Sequence, residues 1–338
     1  MPQIVLDSAF KSISAILEQY KRDPGGIELF GGEPLLKRTR NIVSDVIRFA
    51  QKLDTKVDII TNGVMAGDFL DIFKPFKNII QMLQITLDGP EQVHDRRRKF
   101  FSGKGSFKNI INSIDTLVNN GINTNVRVNI DLDNINNLPD LYSFIIKMRW
   151  PEHKNFKIQP SRVTDHTVLE HEYPLSTDKV LLEKLLLIYE RNPNIEKIFG
   201  YHVFKPLRHI LDILHGAENV SPRFFNCESN LVEMFIFCPD GLIYTCPESI
   251  GIADKAIGSF FPELVFFEDR IKCWKDRDIT VMEKCASCGF APLCGGGCPY
   301  SSMQIYKDCM QPVCEDFRGV LDTFFKYRGN QILEKYIQ

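Results

Sequence analysis

The ten cysteines of this 338-residue chain all follow residue 226, and four of them fall within CASCGFAPLCGGGC (285–298). All seven histidines precede this region. Zinc sites often combine cysteine with histidine, whereas iron–sulfur clusters take four thiolates each. Eight cysteines would therefore hold two [4Fe–4S] clusters, and glycines 295–297 would let backbone N–H groups approach the cluster sulfides. Two all-cysteine zinc sites remain the alternative.

The composition describes an ordinary globular protein, with 44% hydrophobic and 25% charged residues. A net charge of −2 gives no reason to expect nucleic acid or an acidic membrane surface as a partner. No apolar run reaches the roughly 18 residues that a membrane span needs, and MPQIVLDSAF has no signal-peptide pattern. We expect a cytoplasmic protein, in which reduced cysteines hold metal rather than form disulfides.

The first half alternates between apolar runs and amphipathic stretches, which predicts a parallel sheet with helical crossovers. The predicted strands cover 26–32, 56–63, 82–89, 122–131 and 156–162. The predicted helices cover 6–23, a stretch from Ile42 to Ala50, 68–74, 107–120, 136–148 and 177–190, with a helical connector at 200–216. Each strand ends in a polar or glycine-rich segment, and ligands of parallel sheets bind at these ends.

Four motifs of this half, IELFGGEPLL, IITNG, QITLDGPEQVHDRRR and VRVNID, resemble the barrel of radical S-adenosylmethionine (radical SAM) enzymes. The second half resembles their SPASM extension, which holds auxiliary iron–sulfur clusters. The resemblance implies an α/β fold, a partial (β/α)6 barrel lacking its first strand, and then a cysteine-rich domain with a β-hairpin and a C-terminal helix. The implied bounds are 1–200 for the barrel, 201–226 for a connector and 227–338 for the SPASM domain.

The same resemblance assigns residues to S-adenosylmethionine. Carbonyl groups of Gly31, Gly32, Glu33 and Pro34 would accept from the methionyl ammonium, and the methionyl carboxylate would face Thr86 and Arg127. An arginine suits this task because its planar guanidinium can bind a carboxylate bidentately. Arg127 also alternates with apolar neighbours, so an outward-facing strand residue is the other interpretation. HDRRRK (94–99), taken alone, is typical of a solvated charge run.

The resemblance also divides the cysteines between two clusters. One cluster would take Cys285, Cys288, Cys294 and Cys314, and the other Cys227, Cys246, Cys298 and a fourth ligand. Cys238 is the favoured fourth ligand, because it precedes the turn Pro239–Asp240–Gly241 of a predicted hairpin that ends at Cys246. Cys273 is a weaker candidate, and Cys309 is a spare thiol.

The family binds its catalytic cluster with CxxxCxxC, and no cysteine precedes Cys227 here. We expect a maturase of a ribosomal peptide or small protein whose cluster segment is missing from this chain, so that S-adenosylmethionine is bound and cleaved only with that segment, supplied by a complementary fragment or partner chain. Glu248 is a candidate base, while Pro247 replaces the aspartate of sulfatase-maturing members. The alternative is a non-catalytic iron–sulfur module that recognises a precursor peptide or partner enzyme.

Overall fold

The computed structural model describes residues 1–21, 23–163, 176–217 and 220–337. The described residues form two compact units. One unit comprises 16–163 and 187–203, and the other comprises 1–15, 164–186 and 204–338, each within the described ranges. The predicted mixed α/β fold is confirmed by a parallel five-stranded sheet and a cysteine-rich C-terminal region with antiparallel pairing.

The strands of the described residues are β1 (Ile27–Leu29), β2 (Val57–Thr61), β3 (Ile80–Thr86), β4 (Thr124–Ile130), β5 (Phe156–Arg162), β6 (Ile236–Phe237), β7 (Leu242–Tyr244), β8 (Gly258–Ser259) and β9 (Val265–Phe266).

The α-helices of the same residues are α1 (Gln3–Tyr20), α2 (Arg40–Lys52), α3 (Leu70–Phe73), α4 (Glu91–Arg97), α5 (Phe107–Asn119), α6 (Leu138–Lys147), α7 (Ser176–Arg191), α8 (Pro193–Phe199), α9 (Lys205–Leu214), α10 (Glu268–Lys275), α11 (Glu283–Ala286), α12 (Ala291–Cys294), α13 (Pro299–Tyr306) and α14 (Phe317–Ile337). Within the described ranges, none of them combines the length and the hydropathy that crossing a bilayer requires.

Strands β1 to β5 pair in sequential order and all run parallel. Alternate residues of these strands, such as Ile59, Ile85 and Val126, are fully buried. Helices α2 and α5 carry buried apolar residues at helical spacing, as the sequence predicts. The predicted helix 68–74 is shorter than expected: α3 has four residues between two 3-10 turns, and the second turn contains Pro75, which removes a backbone donor.

The other face of this sheet is polar, although parallel sheets usually read as continuous apolar runs. Its side chains come from alternate positions of β3, β4 and β5 and hydrogen-bond to one another across the strands. They include Gln84, Thr86, Asn125, Arg127, Asn129, Gln159 and Ser161. A polar face shielded in part from water indicates a surface built for a ligand.

The second unit contains a four-stranded antiparallel sheet in the order β6-β7-β8-β9. The predicted hairpin is present: β6 pairs with β7, and the N–H of Gly241 closes the turn on the carbonyl of Cys238 at 3.0 Å. The predicted C-terminal helix is α14, and α9 lies within the predicted connector. Residues 218 and 219 of that connector lie outside the described residues.

Candidate functional site

Arg127 lies on the polar face of the sheet and not on its apolar, helix-covered face. Its guanidinium donates to Ser161 Oγ at 2.8 Å, to Asn129 Oδ1 at 3.0 Å and to Gln84 Oε1 at 3.4 Å. All three acceptors are neutral, and no carboxylate of the described residues forms an ion pair with it. Burial lowers the pKa of Arg127, and the nearby Asp88 opposes that shift. The cation is therefore held by neutral groups beside a face where an anion can bind.

Thr86 is the register partner of Arg127 on the adjacent strand. It is 9% exposed and lies on the same face, because residues opposite each other in a ladder share a side of the sheet. The structure thus brings together the two residues that were assigned to the methionyl carboxylate. Their role as ligands stays a prediction.

The Gly31–Pro34 segment follows β1, and its glutamate side chain has a role that the sequence did not reveal. Glu33 Oε1 accepts from the Thr61 hydroxyl at 2.6 Å and from the N–H of Leu35 at 2.9 Å. Its Oε2 accepts from the N–H of Asn62 at 2.7 Å. The carboxylate therefore ties the end of β1 to the end of β2. Gly31 and Gly32 have φ of 89° and 50° with open space around them, so a ligand can approach their backbone.

We predict that Glu33→Gln lowers the free energy of unfolding by about 1–3 kcal/mol, because it replaces a charged acceptor and places an NH2 group against a backbone N–H. Urea unfolding measures this loss. The exposed Glu91, which is paired only with Lys108 at 3.5 Å, provides the matched control Glu91→Gln, expected to change stability by less than about 0.5 kcal/mol. Equal effects of the two substitutions would contradict the tie between strand ends.

The interpretation of HDRRRK as a solvated charge run is wrong. His94 is fully buried in α4, and its Nδ1 accepts from the N–H of Asp88 at 3.2 Å. Arg98 Nε donates to the buried Asp88 carboxylate at 2.6 Å, and Arg97 donates to Asp131 at 2.6 Å. Burial lowers the pKa of His94, which suits a neutral imidazole that accepts at Nδ1. These pairs fix the loops after β3 and β4 next to Thr86 and Arg127.

The thiols of Cys227, Cys246 and Cys298 form one neighbourhood in the second unit. The pKa of Cys246 is raised to about 12, mainly by burial and in smaller part by the sulfurs of Cys298 and Cys227. Charge repulsion of this kind falls with distance, so it groups the three residues, and Cys246 and Cys298 also pack in the same hydrophobic cluster. Backbone N–H groups of Glu248 and Ser249 hydrogen-bond to the Cys246 sulfur, and the N–H of Ser301 donates to Cys298 Sγ at 3.5 Å.

A second neighbourhood contains the other four predicted ligands. Burial raises the pKa of Cys285, and the sulfurs of Cys294, Cys314 and Cys288 add to that shift. Burial also raises the pKa of Cys294, while N–H groups of Gly296 and Gly297 donate to its sulfur and lower it. Hydrogen bonds from backbone to sulfur are among the contacts that set the properties of iron–sulfur centres.

Cys238 lies apart from both neighbourhoods. It packs with Tyr244 and Ala256, and its N–H donates to the carbonyl of Leu242 at 3.1 Å. The hairpin register places Ile236 opposite Tyr244, so Cys238 and Cys246 are not opposite each other. Burial, with a smaller contribution from Asp240, raises the pKa of Cys238 to about 11. Its assignment as the fourth ligand stays a prediction.

The two remaining cysteines, Cys273 and Cys309, form a disulfide with a Cα–Cα separation of 6.2 Å. The eight free cysteines are the eight predicted ligands. Within the described ranges, no group of three or more His, Cys, Asp or Glu side chains is arranged to hold a single metal ion.

Glu248, the candidate base, is exposed in a 3-10 turn that follows Cys246. Its carboxylate lies close enough to Tyr300 to raise the pKa of that phenol, after the larger effects of burial and of Cys246. The structure therefore places Glu248 at the edge of the first cysteine neighbourhood. Its function as a base stays a prediction.

Comparison with known proteins decides the nature of the first half. Residues 9–145 match the family model of the radical SAM superfamily. This segment is a radical SAM domain. Its matched range includes Gly31–Pro34, Thr86 and Arg127, so the residues that the motifs singled out lie inside the radical SAM domain.

Relatives of the whole chain agree with this result. A cysteine-type anaerobic sulfatase-maturating enzyme from Clostridium novyi (strain NT) is 25% identical over 286 residues, which is 79% of this chain and 71% of the relative. The structure of native anSMEcpe with bound AdoMet and Kp18Cys peptide matches 99% of this chain and 90% of its own, with a TM-score of 0.69 and 17% identity.

Streptococcus suis SuiB bound to precursor peptide SuiA matches 89% of this chain and 67% of its own, with a TM-score of 0.59 and 16% identity. At these identities the two structures show the fold alone. They confirm the predicted α/β fold over most of this chain.

Proposed function

We propose that this chain is the larger part of a radical SAM maturase that modifies a peptide or a small protein. The observation that carries the proposal is the presence, in one chain, of a radical SAM domain and eight free cysteines, seven of them in two neighbourhoods. Further support comes from the similar proteins, of which one is named a sulfatase-maturating enzyme and two were solved with a peptide.

The polar face of the sheet suits the methionyl end of S-adenosylmethionine. Arg127 is a half-buried cation. Because its hydrogen-bond partners among the described residues are all neutral, a carboxylate ligand would supply its missing counter-charge. Thr86 would donate its hydroxyl to the same carboxylate. Carbonyl groups of Gly31–Pro34 would accept from the ammonium, while the Glu33 side chain holds this segment in place.

The cysteine region suits two [4Fe–4S] clusters. Cys285, Cys288, Cys294 and Cys314 provide one set of four thiolates. Cys227, Cys246 and Cys298 provide three of the other set, and Cys238 completes it as the remaining free thiol of the described residues. The hairpin turn would shift to bring Cys238 to this cluster. Backbone donors to three of these sulfurs are already in place.

When bound to a reduced cluster with an open iron site, S-adenosylmethionine supplies hydrogen-atom abstraction through homolysis of its C–S bond. Eight thiolates on two clusters leave no open iron, and no cysteine lies before Cys227. We therefore propose that a CxxxCxxC segment outside these 338 residues completes the catalytic site. A non-catalytic, peptide-recognising iron–sulfur module is the alternative, since it needs no such segment.

Pro247 follows Cys246 where sulfatase-maturing members have aspartate, so we propose a modification other than theirs. Glu248 lies one residue further along the chain and is exposed, which allows it to accept a substrate proton.

A peptide assay tests the proposal. The chain, a CxxxCxxC segment, S-adenosylmethionine and dithionite are incubated with a pool of cysteine-containing peptides that includes Kp18Cys. We expect 5′-deoxyadenosine together with a peptide that is lighter by two hydrogen atoms. Peptide binding without 5′-deoxyadenosine would favour the non-catalytic module, and 5′-deoxyadenosine with every peptide unchanged would contradict the proposed substrate class.

A further inference from the structure

Arg277 is a charged residue in the interior of the cysteine-rich unit. It follows α10, has no exposed surface, and is among the largest fully buried side chains of the described residues. Moving a cation out of water costs several kcal/mol unless opposite charge and hydrogen bonds compensate for it. Its position therefore requires an explanation from its surroundings.

Three backbone carbonyls hold part of the guanidinium. Nε donates to Cys309 O at 2.6 Å, and Nη2 donates to Gly296 O at 2.8 Å and to Gln311 O at 3.1 Å. Nη1 is buried and has no hydrogen-bond partner among the described residues. A Cβ on Gly296 would lie 3.3 Å from Nη1 and would overlap the methyl group of Met282, so glycine at this position lets the backbone pack closely against Arg277 and Met282.

The charged groups that act on the pKa of Arg277 are thiols. Burial lowers the pKa of Arg277, and the sulfurs of Cys298, Cys285, Cys227 and Cys294 oppose that shift. Two of these sulfurs belong to each cysteine neighbourhood. One carbonyl that accepts from Nη2 belongs to Gly296, which stands in the chain between Cys294 and Cys298, two residues that are assigned to different clusters. Among the described residues, Arg277 forms no ion pair with a carboxylate. Its charge makes a small contribution to lowering the pKa of the partly exposed Asp308, after the hydrogen bonds to that carboxylate.

We propose that Arg277 is a shared counter-charge of both iron–sulfur clusters, with Nη1 donating to a thiolate or sulfide and the guanidinium favouring the reduced state of each cluster. This inference rests on the two-cluster proposal above. The reasoning is electrostatic: a cluster with four thiolates carries net negative charge, reduction increases that charge, and hydrogen bonds and charge near the sulfurs set the potential. Arg277 is thus a positioning and tuning residue, distinct from the ligands.

A redox titration of the reconstituted full-length chain tests this role. Cys246→Ala and Cys288→Ala backgrounds, each expected to keep one cluster, allow the two potentials to be measured separately. In both backgrounds we expect Arg277→Gln to lower the reduction potential of the remaining cluster. At a fixed applied potential, the ratio of reduced to oxidised cluster should fall at least tenfold, which corresponds to about 59 mV for one electron. Arg270→Gln is the control, because Arg270 also donates to two backbone carbonyls, those of Ala253 and Ala256, and packs against the ring of Phe267.

Unchanged potentials with full iron content would overturn the inference, since a purely structural arginine would alter stability alone. If Arg277→Gln fails to retain iron, an experiment on the wild-type chain tests the inference instead. With arginine labelled by 15N in its guanidinium, the reduced clusters should show 15N coupling by pulsed electron paramagnetic resonance, and Arg277→Lys should abolish it. Absence of that coupling in the wild type would overturn the inference. A wild-type chain that holds zinc and no sulfide would instead contradict the two-cluster proposal itself.

Discussion

The 338-residue chain, fully reconstituted with iron and sulfide and reduced with dithionite, is expected to form no 5′-deoxyadenosine above a protein-free control. Reductive cleavage needs an iron with a free coordination position, and the eight free cysteines are all assigned to two clusters of four. Addition of a CxxxCxxC segment, fused or in trans, should produce 5′-deoxyadenosine. Chromatography with mass detection of the nucleoside measures both results.

Arg127→Met, in the chain supplemented with the CxxxCxxC segment, tests whether the polar face of the sheet binds S-adenosylmethionine. Removal of this charged hydrogen-bond donor should cost about 1.5–3 kcal/mol of binding free energy. S-adenosylmethionine should therefore bind about ten- to a hundredfold more weakly. Arg149→Met is the control, because Arg149 is exposed and paired locally with Glu152 at 2.7 Å. Formation of 5′-deoxyadenosine by the chain alone would contradict the assignment of its clusters, and no formation with the added segment would favour the non-catalytic alternative.

Substitution of one ligand from each cysteine neighbourhood should remove one cluster at a time. We expect Cys288→Ala and Cys246→Ala each to lower the iron content from about eight towards about four atoms per chain, because the loss of one of its four thiolates weakens the retention of that cubane. Iron and acid-labile sulfide are measured together after anaerobic reconstitution. Combining the two substitutions should leave almost no iron.

Cys273→Ser is the matched control for these variants. Cys273 packs in the same hydrophobic cluster as Cys246, but it is paired with Cys309 and is not an assigned ligand, so its substitution should leave about eight iron atoms in place. The disulfide closes a segment of sequence separation 36, and its loss should lower stability by about 2–4 kcal/mol. Retention of all iron by Cys288→Ala, or loss of half of it by Cys273→Ser, would contradict the ligand assignment.

The sheet could be predicted from the sequence because each strand is a compact local signal. The predicted strand 156–162 is the observed β5, and the predicted 122–131 contains β4 (Thr124–Ile130). Turn residues bound these runs, and alternate apolar positions in them pack against helices. The resemblance added what periodicity cannot supply, namely a prediction of which polar strand ends bind one ligand.

The networks around the site were not predictable, because their partners are distant in sequence and meet only through strand register. Glu33 reaches Thr61 across 28 positions, and Asp88 reaches the N–H of Asn129 across 41. The buried His94 was hidden for another reason: its partners Asp88 and Ser106 are only 6 and 12 positions away, but the charged residues around it indicate solvent exposure. Arg277 lies outside every motif, and its carbonyl partners are 19 to 34 positions away.

The cysteine region shows what spacing along the chain can and cannot predict, while the ligand assignment itself stays a prediction. Spacing and resemblance grouped Cys285, Cys288, Cys294 and Cys314, and these thiols are neighbours in the structure. Proximity along the hairpin favoured Cys238 beside Cys246, but the observed register pairs Cys238 with Leu242 instead. The disulfide between Cys273 and Cys309 was not expected, since neither spacing nor the family pattern relates the two residues.

The content of iron, sulfide and zinc in the wild-type chain, purified anaerobically and reconstituted, tests the central claim most directly. Two [4Fe–4S] clusters predict about eight iron atoms and about eight sulfides per chain, with zinc near background. About two zinc ions per chain with no acid-labile sulfide would contradict the account, because zinc sites of four cysteines would then occupy the thiols assigned to the clusters.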